Sequence, residues 1–335
     1  MTQLVSSARR SLLVKTLAYS CVMASSLLYM TAQAQDSFPA GPITLIVPNP
    51  PGGSSDINAR ILAEPLSASL KQPVVILNKP GLGGAIGAAQ VAKAKPDGYT
   101  LLLALSSVVV APEAERVSGR KPLYELDQLE PIALLSSDPM VMLVRADSPW
   151  RNLADMIKAA KENPGTINYS SSGNFGPIHL SVEMLAHQAG IKLQQVPFGG
   201  GGPSMLALLG GQVELTTAAP AVAMAQIQAG KLRPLATSGS KRLAALPDVP
   251  TYRESGFDAE YHIWAGVYGP AGMPKATLQA LRESVQKAAH SASFRQGMQK
   301  QGIIFDYRDA PEFKKLAQED GVRMVNVVRA IGKVD

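Results

Sequence analysis

The chain has 335 residues, 32 of them basic and 26 acidic, with 46% hydrophobic and 5% aromatic content. That length suits two domains or one large α/β unit with ample material for a core. The formal charge of +6 includes Arg9, Arg10 and Lys15 of an N-terminal leader, and what is left is too slight to suggest nucleic acid or a membrane surface as partner.

Residues 1–34 read as an export leader. Arg9, Arg10 and Lys15 form a basic head, and no acidic residue precedes Asp36. An apolar stretch then runs to Ala32-Gln33-Ala34, the small-x-small pattern of a peptidase cut before Gln35. Lys15, Ser20, Ser25 and Ser26 interrupt that stretch, which argues against a permanent membrane anchor. Arg9-Arg10-Ser11-Leu12-Leu13 also fits a twin-arginine route. The single cysteine, Cys21, leaves with the leader; its alternative fate as a lipidated residue fits poorly with the bulky Tyr19 beside the junction. The mature chain then has no thiol for a disulfide, a zinc site or a nucleophile.

Beyond the leader the pattern is strand, loop, helix, repeated. Residues 43–47 form a β-branched strand, and 48–55 are too rich in Pro and Gly for regular structure. Ile57, Ile61, Leu62, Leu66 and Leu70 have helical spacing, with Pro65 expected to kink or shorten that helix. Strands at 74–77 and 99–105 flank a small-residue helix ending near Lys93, which makes a β-α-β-α-β unit with right-handed crossovers. A less regular stretch at 108–129 precedes an apolar passage at 132–144. The α/β rhythm then restarts, with strands at 167–170, near 196–198, 213–217 and 232–237 and helices between them. Residues 261–268 look like a second crossing, and final helices follow at 278–289 and 312–328.

Three loops, at 51–56, 171–177 and 198–204, share one design, in which a strand ends, Gly, Ser and Pro follow, and a helix starts. In open parallel sheets ligands bind beyond such strand ends, where unpaired N–H groups and the positive end of the helix dipole suit an anion. The candidate ligand-binding residues are therefore Pro51, Gly52, Gly53, Ser54, Ser55 and Asp56 in the first loop, and Ser106 and Ser107 after the strand at 99–105. Ser171, Ser172, Gly173 and Asn174 follow in the next, then Phe198, Gly199, Gly200 and Gly201, and finally Ala219 and Pro220. Asp56 has an alternative role in stabilising the first helical turn. Gly81-x-Gly83-Gly84-x-x-Gly87 follows the second strand and departs from the dinucleotide fingerprint. His179 and His187 lie eight apart on one helix as surface positions, without a metal motif. No G-x-S-x-G elbow surrounds Ser171 or Ser172, and Trp264 reads as core or hinge packing.

Taken together, several segments resemble the solute receptors of the tripartite tricarboxylate transporters, the Bug-type periplasmic binding proteins. They are Pro50-Pro51-Gly52-Gly53-x-x-Asp56-x-x-x-Arg60, Asn78-Lys79-Pro80-Gly81-x-Gly83-Gly84, Pro96-Asp97-Gly98-Tyr99-Thr100, Val196-Pro197-Phe198-x-Gly200, Leu246-Pro247-Asp248-Val249-Pro250-Thr251 and Trp264-x-Gly266. The resemblance implies an α/β, type II-like periplasmic-binding-protein fold: two parallel-rich sheets flanked by helices and joined by hinge strands, with lobes at 35–137 plus 258–335 and at 138–257. It also implies a small carboxylate in the cleft, closure around it, and delivery to a membrane permease of the same transporter type, with no catalysis, metal, cofactor or nucleic acid. Presentation of the ligand to a sensor kinase is one alternative, and a secreted hydrolase using the same cleft is another. Lys79 stands where the family usually has Arg, Phe198 where Tyr is common, and Leu215–Ala218 lacks the usual aromatic and acidic residues, so a more apolar pocket is expected. Intact mass of the exported protein should correspond to a chain starting at Gln35; a retained, lipid-modified Cys21 would overturn that reading.

Overall fold

A computed structural model describes residues 38–334. The leader, with Cys21 and the junction at Ala34, lies outside the described residues. From Gly41 onward the chain forms one unit containing two sheets.

The first half alternates as its hydrophobic pattern predicts. Strand β1 (Ile43–Val47) leads to helix α1 (Ser54–Leu70), β2 (Val74–Asn78), α2 (Ala85–Ala92) and β3 (Thr100–Leu105). Helix α1 continues through Pro65 rather than stopping, because Leu62, Pro65, Leu66 and Leu70 are all buried and packing outweighs one missing backbone bond. The irregular stretch that follows holds the short helix α3 (Ala111–Val117). The apolar passage at 132–144 divides into two strands, β4 (Leu129–Pro139) and β5 (Val141–Arg145), which belong to different sheets.

The second lobe continues with α4 (Leu153–Glu162), β6 (Asn168–Ser171), α5 (Pro177–Ala189), β7 (Gln194–Pro197), α6 (Gly201–Leu209), β8 (Leu215–Ala218), α7 (Pro220–Gln228) and β9 (Leu232–Thr237). The chain then returns to the first sheet through β10 (His262–Pro270), α8 (Lys275–Ala289), α9 (Ala292–Lys300), β11 (Phe305–Arg308) and α10 (Ala310–Ile331).

Strand order is β11-β4-β10-β3-β1-β2 in one sheet and β7-β6-β8-β5-β9 in the other. Both sheets are mixed rather than parallel-rich. β1 runs parallel to β2 and β3, and β6 to β7 and β8, but every pairing of β4, β5 or β10 is antiparallel. A strand that leaves for the other lobe and one that returns from it must point in opposite directions. The carboxyl ends of β1, β3, β6 and β8 consequently face the junction between lobes.

Strands β1 and β3 are almost wholly buried, and apolar clusters cover both faces of the second sheet. Helix α10 closes the first lobe. The Trp264 indole N–H donates to Asp320 at 2.9 Å, and its ring meets Phe313 edge-on. Gly266 is required there, since a Cβ would come within 2.1 Å of the Phe313 ring.

The two crossings are joined at one residue. The Met140 N–H donates to Ser238 Oγ at 2.8 Å, and that hydroxyl donates to the Tyr261 carbonyl. In turn the Ser238 N–H donates to the Met140 carbonyl and the Tyr261 N–H to the Ser238 carbonyl. Ser238 is fully buried, so Ser238→Ala strands two buried polar groups. Urea denaturation should show a loss of about 1–3 kcal/mol; an unchanged midpoint would mean that the hydroxyl adds nothing to the tie.

Candidate functional site

The loop after β1 is held rigid by its own polar groups. Ser55 Oγ donates to Asn49 Oδ1 at 2.8 Å, and Asn78 Nδ2 donates both to the Asn49 carbonyl and to Asp56 Oδ1. Asp56 Oδ2 accepts the Gly52 N–H at 3.0 Å and the Arg60 guanidinium at 2.9 Å. Burial alone would raise the Asp56 carboxyl, but the bonds from Arg60, Gly52 and Asn78 outweigh it and hold the carboxyl below its ordinary value. Asp56 therefore serves the loop and lines neither of the cavities described next.

Two adjacent chambers lie between the lobes, sharing Asn49 and Ser172 in their walls. The inner chamber, about 30 Å³, is bounded by Gly53, Ser54 and Ser55 on one side and by Ser172, Pro177, Ile178, Gly201, Ala218 and Ala219 on the other. These residues stand at or beside the starts of α1, α5, α6 and α7. Four helix dipoles thus present their positive ends to one small space. No charged side chain lines it.

The outer chamber, about 470 Å³, is walled by Pro48–Pro50, Pro80–Gly84 and Ser107 of the first lobe and by Ser172–Phe175 and Pro197–Gly199 of the second. Ala111, Ala114, Glu115 and Arg120 close one side. Gly53, Ser54, Ser55, Ser107, Ser172, Gly173, Asn174, Phe198, Gly199, Gly201 and Ala219 accordingly come together around the two chambers.

Pro51, Gly52, Asp56, Ser106, Ser171, Gly200 and Pro220 do not line them. Ser106 Oγ is paired with the Tyr261 hydroxyl at 3.1 Å. Ser171 Oγ accepts from Gln195 Nε2 at 2.7 Å and from the Gly173 N–H. Gly200 packs against Pro50 of the opposite lobe, and Pro51 faces Gly202. Sequence reasoning missed Asn49, Pro50, Phe175 and the glycines after Pro80. The usable signal was Gly81-x-Gly83-Gly84, which departs from the dinucleotide fingerprint and belongs to the segments that carry the family resemblance.

His179 is buried rather than on the surface, whereas His187 is exposed. The His179 Nδ1 accepts the Phe175 N–H at 2.9 Å, and burial lowers the His179 pKa to about 4, leaving that imidazole neutral. Among the described residues no group of His, Cys, Asp and Glu is placed to hold a metal ion, and no helix is long and apolar enough to cross a membrane.

The chambers are closed by contact between the lobes. A Cβ on Gly200 would lie 2.7 Å from Pro50 Cδ, and one on Gly202 would lie 3.2 Å from the Pro51 carbonyl oxygen. At Gly53 the same atom would meet nothing nearer than 3.7 Å.

Comparison with known proteins agrees with this architecture. Residues 58–333 match the model of the tripartite tricarboxylate transporter family receptor. A UPF0065 protein from the tcbD-tcbE intergenic region of Pseudomonas sp. (strain P51) is 36% identical over 81% of each chain. The structure of periplasmic binding protein BugD superposes with a TM-score of 0.83 at 32% identity, covering 89% of this chain and all of that one. MatC from Rhodopseudomonas palustris, solved with bound malate, gives 0.81 at 30% identity, over 87% of this chain and all of that one.

Gly200→Ala should hold the lobes apart through its methyl group and weaken binding of whichever carboxylate most stabilises the parent protein. A penalty of about 1–2 kcal/mol, roughly five- to thirtyfold in affinity, is expected. Gly53→Ala should cost far less. Calorimetry on variants with parental unfolding temperatures checks the order, and equal affinities would contradict it.

Proposed function

Because the chain belongs to the receptors of the tripartite tricarboxylate transporter family, we propose that it receives a small carboxylate in its interlobe cleft and delivers it to a permease of that transporter type. The proposal includes export to the periplasm with removal of residues 1–34. The observation that carries it is the uncharged inner chamber at the starts of four helices.

A carboxylate there meets N–H groups that have no partner within their helices, together with the hydroxyls of Ser54 and Ser172. No buried cation has to be desolvated for this. MatC, a relative of the same fold, holds malate, and the family members and structural neighbours are solute-binding receptors.

Binding and closure belong to one event. The lobes, taken as 35–137 plus 258–335 and 138–257, rotate about Met140 and the segment before β10. A ligand touching both chamber walls favours the closed state by its extra contacts there, and a ligand touching one wall shifts nothing. The permease then has a surface to read that exists only when both walls are engaged.

Small-angle scattering of the mature protein should give a smaller radius of gyration when a thermally stabilising carboxylate is added. An unchanged radius, with the ligand contacting one lobe only, would remove closure from the mechanism.

A further inference from the structure

The outer chamber is far larger than a carboxylate head requires. Pro48, Pro50, Pro80, Leu82, Phe175 and Phe198 make much of its wall apolar. Two of these residues also carry backbone strain. Leu82 has φ +50° and Phe175 has φ +58°, and among the described residues the one other non-glycine with positive φ is Lys71, at the end of α1. Bulky side chains rarely adopt this region, and such outliers persist where surrounding structure enforces them, commonly at ligand clamps.

The two strained residues come from opposite lobes and face the same chamber. Phe175 is enforced by His179, which accepts its N–H and meets its ring edge-on at 5.6 Å. Leu82 remains 49% exposed, so its conformation is not repaid by burial in the protein alone. Phe198 adds a second aromatic side chain to the lining of the same chamber, without the hydroxyl that a tyrosine would bring.

We propose that the ligand is a ring-bearing carboxylate, with its head group at the helix starts and its ring in the outer chamber between Leu82 and the Phe175–Phe198 wall. This rests on the receptor reading above and narrows its substrate class. Flat rings gain from the offset and edge-on contacts that the half-buried Phe198 offers beside the exposed edge of Phe175, and the prolines supply rigid apolar walls at little entropic cost. A short polar diacid sets one carboxylate at the helix starts and leaves most of the outer chamber to water. Discrimination between the two classes then resides in contacts with the ring.

Calorimetric titration of the mature protein with benzoate, phenylacetate, cyclohexanecarboxylate and malate tests the assignment. At least one ring-bearing acid should bind at least tenfold more tightly than malate. Leu82→Asn should reduce that preference about tenfold, in keeping with the loss of an apolar pocket contact. Asparagine tolerates left-handed backbone, so this variant keeps the loop conformation. Phe198→Ala, with its unfolding temperature measured, should reduce the preference in the same direction. If malate binds more tightly than every ring-bearing acid, or if both variants keep the parental preference, the proposal is overturned while the receptor reading stands. If no carboxylate of either kind binds, both fall.

Discussion

Ser238 joins the two places where the chain passes between lobes, accepting from Met140 and donating to Tyr261 while its own backbone pairs with both. The cleft depends on that tie. With β4 ending at Pro139 and β5 starting at Val141, one residue separates strands of different sheets. The return through β10 is fastened to the same point. The junction is thus narrow, and each sheet lies wholly on one side of it. Loops at the carboxyl ends of both sets of strands are brought face to face across it.

What those loops offer is charge without charged side chains. Asp56, the acidic residue nearest the inner chamber in sequence, is turned into its own loop and paired with Arg60. The chamber is left with hydroxyls, glycine backbone and helix starts. An arginine buried there would have to be desolvated and would grip a carboxylate strongly. Dipoles and N–H groups that cannot otherwise be paired give a milder attraction, with no buried cation to desolvate. The seam itself depends on its glycines: Pro50 reaches Gly200 because no side chain stands between them.

His179 supports one wall of this arrangement from behind. As a neutral acceptor it holds the Phe175 N–H, and its pKa of about 4 lies below that of a free imidazole. The unfolded chain therefore binds the extra proton first as pH falls. The stability that depends on the neutral form is complete above the ordinary imidazole range and declines as pH drops toward 4.

Much of this was legible in the amino-acid order. The β-branched run at 43–47, the leucine-rich run at 100–105 and the glycine and proline punctuation between elements are local signals, because strand and turn preferences act over a few residues. They located the loops that meet in the cleft. Four features depended on residues distant in sequence. Pro65 stays within α1 because neighbouring elements bury that face. His179 is interior because α5 lies against β8. Asp56 is structural because Asn78, a strand away, reaches it. The outer chamber is built from Leu82 and Phe175, more than ninety positions apart. Local preferences determined which elements form and where their ends lie; only the tertiary structure decided which side of each loop faces the cleft, since that depends on how the mixed sheets turn the two lobes toward each other.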